Sequence, residues 1–188
     1  MRHTSSFLSR FSQPLFSAAL SPAVNHRNDE YGESLERCDR IIVEILNKML
    51  HVSIKLNCND FTRGGIDGED FIENCKLLDA AGINSIEVSG NGTSVSGIRA
   101  HMSTAAKAAD LVSCPVIVVG GFRSLDTMES VLNDTKIEFI SLSRPLLREP
   151  DMPDKMAQDA GYISKCVSCN ACYSSPAHKC VFRDRNLS

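Results

Sequence analysis

Two short segments of the chain carry residue types suited to binding a phosphate group. Gly120 and Gly121 precede Phe122 at the end of an apolar run, and glycines let a backbone approach a ligand closely. Further along, Ser143 and Arg144 set a hydroxyl beside a guanidinium that can bind phosphate through two parallel hydrogen bonds. Taken singly, the segments also fit a plain tight turn and a surface arginine. Because both follow predicted neighbouring strands, we favour a shared phosphate site.

A lysine also interrupts an apolar run. Lys55 lies between Ile54 and Leu56, and a buried lysine needs a partner or a functional charge. Its ammonium could face the electron-rich end of a bound ring system. It could equally belong to an edge strand and reach solvent, and the spacing alone leaves both interpretations open.

Four of the eight cysteines cluster near the C-terminus, at Cys166, Cys169, Cys172 and Cys180. Thiolates at such spacing can converge on zinc or an iron–sulfur cluster, or remain unliganded. The other four are scattered through apolar or helical patterns, and no secretory signal precedes them. We therefore expect a reducing compartment.

Alternating helices and strands must position these residues. Hydrophobic periodicity, caps and turn residues predict helices over residues 34–49, 69–81, 101–111 and 125–133, with Gly82 capping the second. Short β-branched runs predict strands over residues 51–56, 85–88, 116–119 and 139–142, and residues 89–97 read as a loop. The strand centres lie about 23 to 33 residues apart, which is typical of βα units with parallel strands. The class is α/β, and periodicity leaves open whether the strands belong to a closed barrel or a doubly wound sheet.

The composition of the chain further limits the classes of protein to which it can belong. The 188 residues are 43% hydrophobic and 23% charged, which suits one globular domain, whereas a complete (β/α)8 barrel needs about 250 residues. The net charge of −3 indicates neither a nucleic-acid partner nor an anionic membrane, and no apolar run is long enough to span a bilayer.

The first 28 residues contain Arg2, Arg10 and Arg27, six serines and no acid. This composition resembles a mitochondrial transit peptide, but Pro14 and Pro22 would interrupt a presequence helix. We expect residues 1–24 to be poorly structured or a remnant. The predicted location is the cytoplasm, with the mitochondrion as the alternative.

Several strings resemble, in the correct order, segments of the Old Yellow Enzyme family of FMN-dependent oxidoreductases. Residues 25–37, NHRNDEYGESLER, are similar to the N-x-R-x-D-x-Y-G-G-S-x-E-N-R motif that follows the fourth barrel strand, with Glu33 in place of the second glycine. Residues 54–57, 86–90, 116–121 and 143–145 resemble the fifth to eighth strands and their loops.

The resemblance covers roughly residues 20–183 and implies the C-terminal half, strands five to eight, of a (β/α)8 barrel over residues 25–188. It implies FMN as cofactor and NAD(P)H as reductant, with hydride passing through the flavin to a small-molecule activated alkene. The implied cofactor-binding residues are Lys55 at the flavin ring, and Gly120, Gly121, Phe122, Ser143 and Arg144 at the phosphate. The family's substrate-binding His/His or His/Asn pair and its proton-donating Tyr belong to strands not recognised here, so no catalytic residue is assigned.

Two functions stay open: an NAD(P)H-dependent ene-reductase that requires further strands, and a non-catalytic half-barrel that binds FMN or another phosphorylated ligand. Open sheet edges would favour self-association, so we expect a homo-oligomer. The iron–sulfur reductases similar to this family use a C-x2-C-x3-C spacing, which the C-terminal cysteines lack, and we favour unliganded thiols over a metal site.

Overall fold

The computed structural model describes residues 51–60, 63–90 and 95–183, and in addition residues 28, 30, 34, 40 and 44. The predicted segment 1–24 lies outside the described residues. The motif at 25–37 and the predicted helix 34–49 also lie outside them, apart from the five isolated positions. Of these, Arg40 and Glu44 have helical backbone. Assignment of residues 25–188 to one domain stays a prediction.

Strands and helices alternate through the main described part. The elements are β1 (Ser53–Asn57), α1 (Gly68–Ala80), β2 (Ser85–Ser89), α2 (Val95–Leu111), β3 (Val116–Val119), α3 (Leu125–Asp134) and β4 (Phe139–Ser141). Two shorter helices follow, α4 (Arg144–Arg148) and α5 (Met152–Gln158). The chain then forms single 3-10 turns at Ala171–Tyr173 and Pro176–His178.

The four strands form one sheet in the order β1-β2-β3-β4, with every neighbouring pair parallel. This confirms the predicted α/β class and the four predicted strands, whose limits were correct to within two residues. Since sequential strands are spatial neighbours, the sheet has the connectivity of successive units of a (β/α)8 barrel.

The start of α2 differs from the prediction by six residues, and the other boundaries of α1, α2 and α3 agree with it to within one residue. Helix α2 begins at Val95 rather than at His101, because Gly97, which we took to belong to a loop, lies inside the helix. A glycine inside a helix lowers the stability of the helix by only about 1 kcal/mol relative to alanine, and the other residues of α2 offset this cost. Helix α1 is capped by Ala81, and Gly82 follows it with a left-handed φ of +90°.

Alternation along the strands separates two faces of the sheet. One face packs against the helices and holds the hydrophobic core, which includes Ile54, Leu56, Phe71, Leu78, Ile86, Val88, Val116 and Val118. The opposite face carries Lys55, Glu87, Ile117 and Phe139, which lie side by side across the four strands. In a closed barrel this second face lines the interior.

Phe139 on the edge strand β4 is 54% exposed, the largest exposure among the hydrophobic residues of the sheet. The predicted self-association stays a prediction.

Within the described ranges, no helix has both the length and the apolar character required to cross a bilayer.

A buried carboxylate joins the region after β4 to the C-terminal part of the chain. Glu149 is 5% exposed and accepts hydrogen bonds from the hydroxyl of Tyr162, the hydroxyl of Ser164 at 2.9 Å and the N–H of Lys165 at 2.5 Å. Lys155 adds an ion pair at 3.4 Å. Burial acts to raise the pKa of Glu149, but the hydrogen bonds from Tyr162, Lys165 and Ser164 outweigh it and lower the pKa.

We expect Glu149→Gln to lower the free energy of unfolding near pH 7 by about 1–3 kcal/mol, because the single amide oxygen cannot accept hydrogen bonds from all these donors. A depressed pKa in the folded state stabilises the protein above the ordinary value of 4.5, and this contribution is lost as the pH falls through the folded pKa. The difference in the free energy of unfolding between the native protein and the variant should therefore become smaller in acid. Urea unfolding carried out from pH 7 into the acid range measures this difference.

Glu129→Gln is the matched control, since Glu129 is exposed on α3. Equal losses of stability in the two variants, or a gap for Glu149→Gln that persists unchanged in acid, would contradict the prediction.

Candidate functional site

A cleft of about 270 Å³ opens at the carboxyl ends of the strands. Its lining includes all six residues predicted to bind the cofactor, namely Lys55, Gly120, Gly121, Phe122, Ser143 and Arg144. They come together because the parallel register places the ends of β1, β3 and β4 along the same edge of the sheet, where ligands of α/β proteins bind.

A glycine turn follows β3 and forms one wall of the cleft. Gly120 has a φ of +122° and Gly121 a φ of +78°, a backbone conformation that side-chain-bearing residues rarely adopt. Phe122, which comes next, is 5% exposed and belongs to the hydrophobic core. The buried ring therefore anchors the turn while the glycine backbone faces the cleft.

A buried histidine supports this turn from helix α2. His101 is 4% exposed, and its Nε2 lies 3.0 Å from the carbonyl oxygen of Val119. Because a carbonyl only accepts, Nε2 donates in this contact. A Cβ added at Gly120 would lie 3.3 Å from Cε1 of His101, and one at Gly90 only 2.7 Å from Nδ1. The imidazole thus fills the space between the ends of β2 and β3.

Our sequence reasoning assigned no role to His101. The available signal was the pair of glycines, Gly90 and Gly120, at the ends of two neighbouring strands. Two glycines at such positions leave room for a bulky side chain between them, but the sequence does not say which residue occupies it.

Lys55 has a partner on the neighbouring strand. Its Nζ forms an ion pair with Glu87, which lies directly opposite it in the β1–β2 register. The side chains are 39% and 19% exposed, so the pair is half-buried and faces the cleft edge. Glu87 was not singled out from the sequence, although it occupies the same position in its strand as Lys55 does.

Two arginines of the cleft contact the C-terminal part of the chain. Arg144 donates to the side-chain oxygen of Asn170, and Arg123 donates to the carbonyl oxygen of Cys166 at 2.9 Å. Ser168 and Tyr173 complete this wall of the cleft. We singled out the cysteines of this stretch from the sequence but did not predict that it forms a wall of the cleft, because residues 163–173 have no regular periodicity.

The four clustered cysteines line a second, smaller pocket of about 20 Å³ behind Arg144. Among the residues described, no set of three or more His, Cys, Asp or Glu side chains is arranged to hold a metal ion. The unliganded state that we favoured for these thiols stays a prediction.

The cleft is predominantly cationic. Lys55, Arg123 and Arg144 line it, and Glu87 stands beside Lys55 at its edge. Its donor set of guanidinium groups, a hydroxyl at Ser143 and an accessible glycine backbone fits an anionic phosphate group.

Comparison with known proteins identifies the family. Residues 15–161 match the sequence profile of the NADH:flavin oxidoreductase / NADH oxidase family. The chain belongs to this family. Its members use FMN as cofactor and NAD(P)H as reductant, and they include the Old Yellow Enzymes that the sequence resembles.

Two curated relatives illustrate the similarity. An NADH oxidase from Thermoanaerobacter brockii is 28% identical over 170 residues, covering 80% of this chain and 26% of the relative. An NADPH dehydrogenase from Bacillus pumilus is 28% identical over 158 residues, covering 77% of this chain and 46% of the relative. The chain thus spans a quarter to a half of the length of these relatives.

Solved structures agree on the fold. A 2-naphthoyl-CoA reductase superposes with a TM-score of 0.65 at 22% identity, over 82% of this chain and 26% of the other. An Old Yellow Enzyme homologue from Zymomonas mobilis gives 0.61 at 18% identity, over 81% of this chain and 45% of the other. The four parallel strands therefore correspond to part of the Old Yellow Enzyme barrel, as predicted.

Gly90→Ala should lower the free energy of unfolding by about 1–3 kcal/mol, because the new methyl group would overlap the ring of His101. Adding His101→Ala should recover part of this loss, and a double-mutant cycle measured by chemical denaturation gives the coupling energy.

Gly68→Ala is the matched control, since a Cβ there would meet Thr104 at 3.7 Å, an ordinary contact. If the Gly90 and His101 substitutions proved additive, His101 would not be the group that requires a glycine at position 90.

Proposed function

We propose that this chain binds FMN in the cleft at the carboxyl ends of its strands, with the phosphate held by the loops after β3 and β4. The observation that carries the proposal is the meeting of the Gly120-Gly121 turn with Ser143 and Arg144 in one cationic cleft. Membership of the flavin oxidoreductase family supports it.

The glycine turn suits the phosphate because its backbone is uncovered. Gly120 and Gly121 line the cleft and carry no side chain of their own, and His101 fixes the turn from below through Val119. Phe122 contributes by anchoring the turn in the core. A preorganised backbone needs no rearrangement on binding, which reduces the entropic cost of association.

Arg144 lines the same cleft. Its contact with Asn170 uses only part of its N–H donors, so the others are available to a phosphate. At the other side of the cleft, Lys55 is the cation that we place beside the ring system of the flavin. Its ion pair with Glu87 holds it there and partly offsets its charge.

The proposed reaction is the NAD(P)H-dependent reduction of an activated alkene. Bound FMN would supply the hydride-transfer chemistry that links NAD(P)H to the β-carbon of the alkene. The chain's own residues would hold the phosphate and set the charge beside the ring, and no proton donor is assigned among them. We propose that activity requires further strands to close the barrel, because the four described strands form only one side of it.

The second candidate is a half-barrel that binds FMN or another phosphorylated ligand without catalysis, favoured by the chain's coverage of only 26% and 46% of the length of two relatives. Consumption of NADPH by the FMN-loaded chain, with and without an activated enone, separates the two candidate functions.

We propose that the protein is located in the cytoplasm, and import of a tagged chain into mitochondria would contradict this.

Arg144→Ala should weaken FMN binding about 10- to 100-fold, because it removes charge-assisted hydrogen bonds to the phosphate. Riboflavin lacks the phosphate, so its affinity should stay unchanged. Quenching of flavin fluorescence during titration gives both dissociation constants.

Lys136→Ala serves as a control, because this exposed cation pairs with Asp110 and precedes β4, at the opposite end of the strands. A native chain that binds no FMN, or an Arg144 variant that loses riboflavin equally, would refute the proposed phosphate site.

Substitutions of the Lys55–Glu87 pair should shift the midpoint potential of bound FMN in opposite directions. Lys55→Met removes a cation that favours the negatively charged reduced flavin, so the potential should fall by about 30 mV, equivalent to about 1.4 kcal/mol for two electrons. Glu87→Gln leaves the lysine charge uncompensated, so the potential should rise. Equilibration with a reference dye measures both, and shifts of the same sign would contradict the assignment of Lys55 to the ring.

A further inference from the structure

The C-terminal segment from Ile163 to Asn170 connects the loops after β3 and β4. Ile163 forms an isolated antiparallel bridge with Ser124, and the N–H of Ser164 donates to the carbonyl oxygen of Arg123 at 2.8 Å. The segment ends at Asn170, whose side chain reaches Arg144. We call residues 163–170 the clamp segment.

Asn170 has an unusual conformation for a residue with a side chain. Its φ of 62° and ψ of 0° lie in the left-handed region, which asparagine tolerates better than most residues. It stands at the N-cap of the 3-10 turn Ala171–Tyr173, where an asparagine side chain would normally accept a hydrogen bond from the turn. No such capping bond is formed. The side-chain oxygen instead accepts from Arg144, which lies 26 residues earlier.

The acceptors that hold the two cleft arginines are both neutral. Arg144 is held by the amide of Asn170 and Arg123 by the backbone carbonyl of Cys166. Several other cations of the chain pair with carboxylates, as Lys55 does with Glu87. Neither arginine forms an ion pair with any residue that the structure describes. A neutral acceptor orients a guanidinium without cancelling its charge, which leaves the charge for an anion.

From these observations we infer that Asn170 is a positioning residue that aims Arg144 at the phosphate of the cofactor while leaving its charge uncompensated. This inference rests on the proposed function for the identity of the anion. The orientation of Arg144 by Asn170 is a separate claim about the chain itself, and it is testable without any flavin.

The test uses two variants that keep the left-handed backbone. Asn170→Gly adopts this conformation readily but removes the acceptor. Asn170→Asp keeps an acceptor of the same shape but adds a negative charge, which would neutralise Arg144 and compete with a phosphate. The whole 188-residue chain is used for both.

The first readout is the ratio of the FMN and riboflavin affinities, measured by fluorescence titration. We expect both variants to bind FMN about 5- to 10-fold more weakly while riboflavin binding is unchanged. A general structural defect would lower both affinities together. If the native chain binds FMN and the ratio is the same in all three proteins, the inference is wrong.

The second readout is the rate at which phenylglyoxal modifies Arg144 in the flavin-free chain, followed by peptide mass mapping. We expect slow modification in the native chain and in Asn170→Asp, and modification about three-fold faster or more in Asn170→Gly, which lacks the acceptor. Equal rates in the native chain and Asn170→Gly would overturn the claim that Asn170 orients Arg144.

The two readouts separate the two levels of the proposal. A native chain that binds no FMN would refute the proposed function, and the modification rates would still decide whether Asn170 positions Arg144. Binding of FMN by the native chain together with equal modification rates would support the function and refute the positioning role.

Discussion

Parallel pairing of four short strands is the constraint on which the site depends. The register aligns the ends of the four strands at one edge of the sheet. Lys55 of β1 and the residues that follow β2, β3 and β4 therefore share a cleft. Hydrophobic burial on the helix-facing side fixes that register, because a shift by one residue would turn the apolar side chains away from the core. The face that remains is then available for Lys55 and Glu87.

Two further contacts refine the cleft that the sheet creates. His101 fixes the glycine turn from beneath, and the clamp segment holds Arg123 and Arg144 from the C-terminal side. The clamp segment is in turn attached to the rest of the protein through Glu149, whose carboxylate accepts hydrogen bonds from Ser164 and Lys165. Hydrogen bonds at its two ends and the backbone of the clamp segment between them therefore connect the buried acid to the two arginines of the cleft.

Flavin binding and catalysis make different demands on this chain. The chain belongs to a family of flavin oxidoreductases but spans only 26% of one relative and 46% of another. The described residues supply the proposed phosphate side of a flavin site and one charged pair beside the proposed ring position. Chemistry on a substrate would need the other wall of the cleft as well, so binding and catalysis are best tested as separate properties.

The sequence by itself determined the α/β class, the four strands, the position of the glycine turn and the family. It also singled out Ser143 and Arg144, which line the cleft. These features are local, because periodicity, glycine content and short motifs are carried by neighbouring residues. It misplaced the start of α2, since Gly97 reads as a loop residue but lies within the helix. Only the tertiary structure decided that His101 fills the space between Gly90 and Gly120, that Lys55 pairs with Glu87, and that Asn170 holds Arg144. Those contacts join residues far apart in the chain, and the last depends on irregular left-handed backbone, so no local pattern in the sequence encodes them.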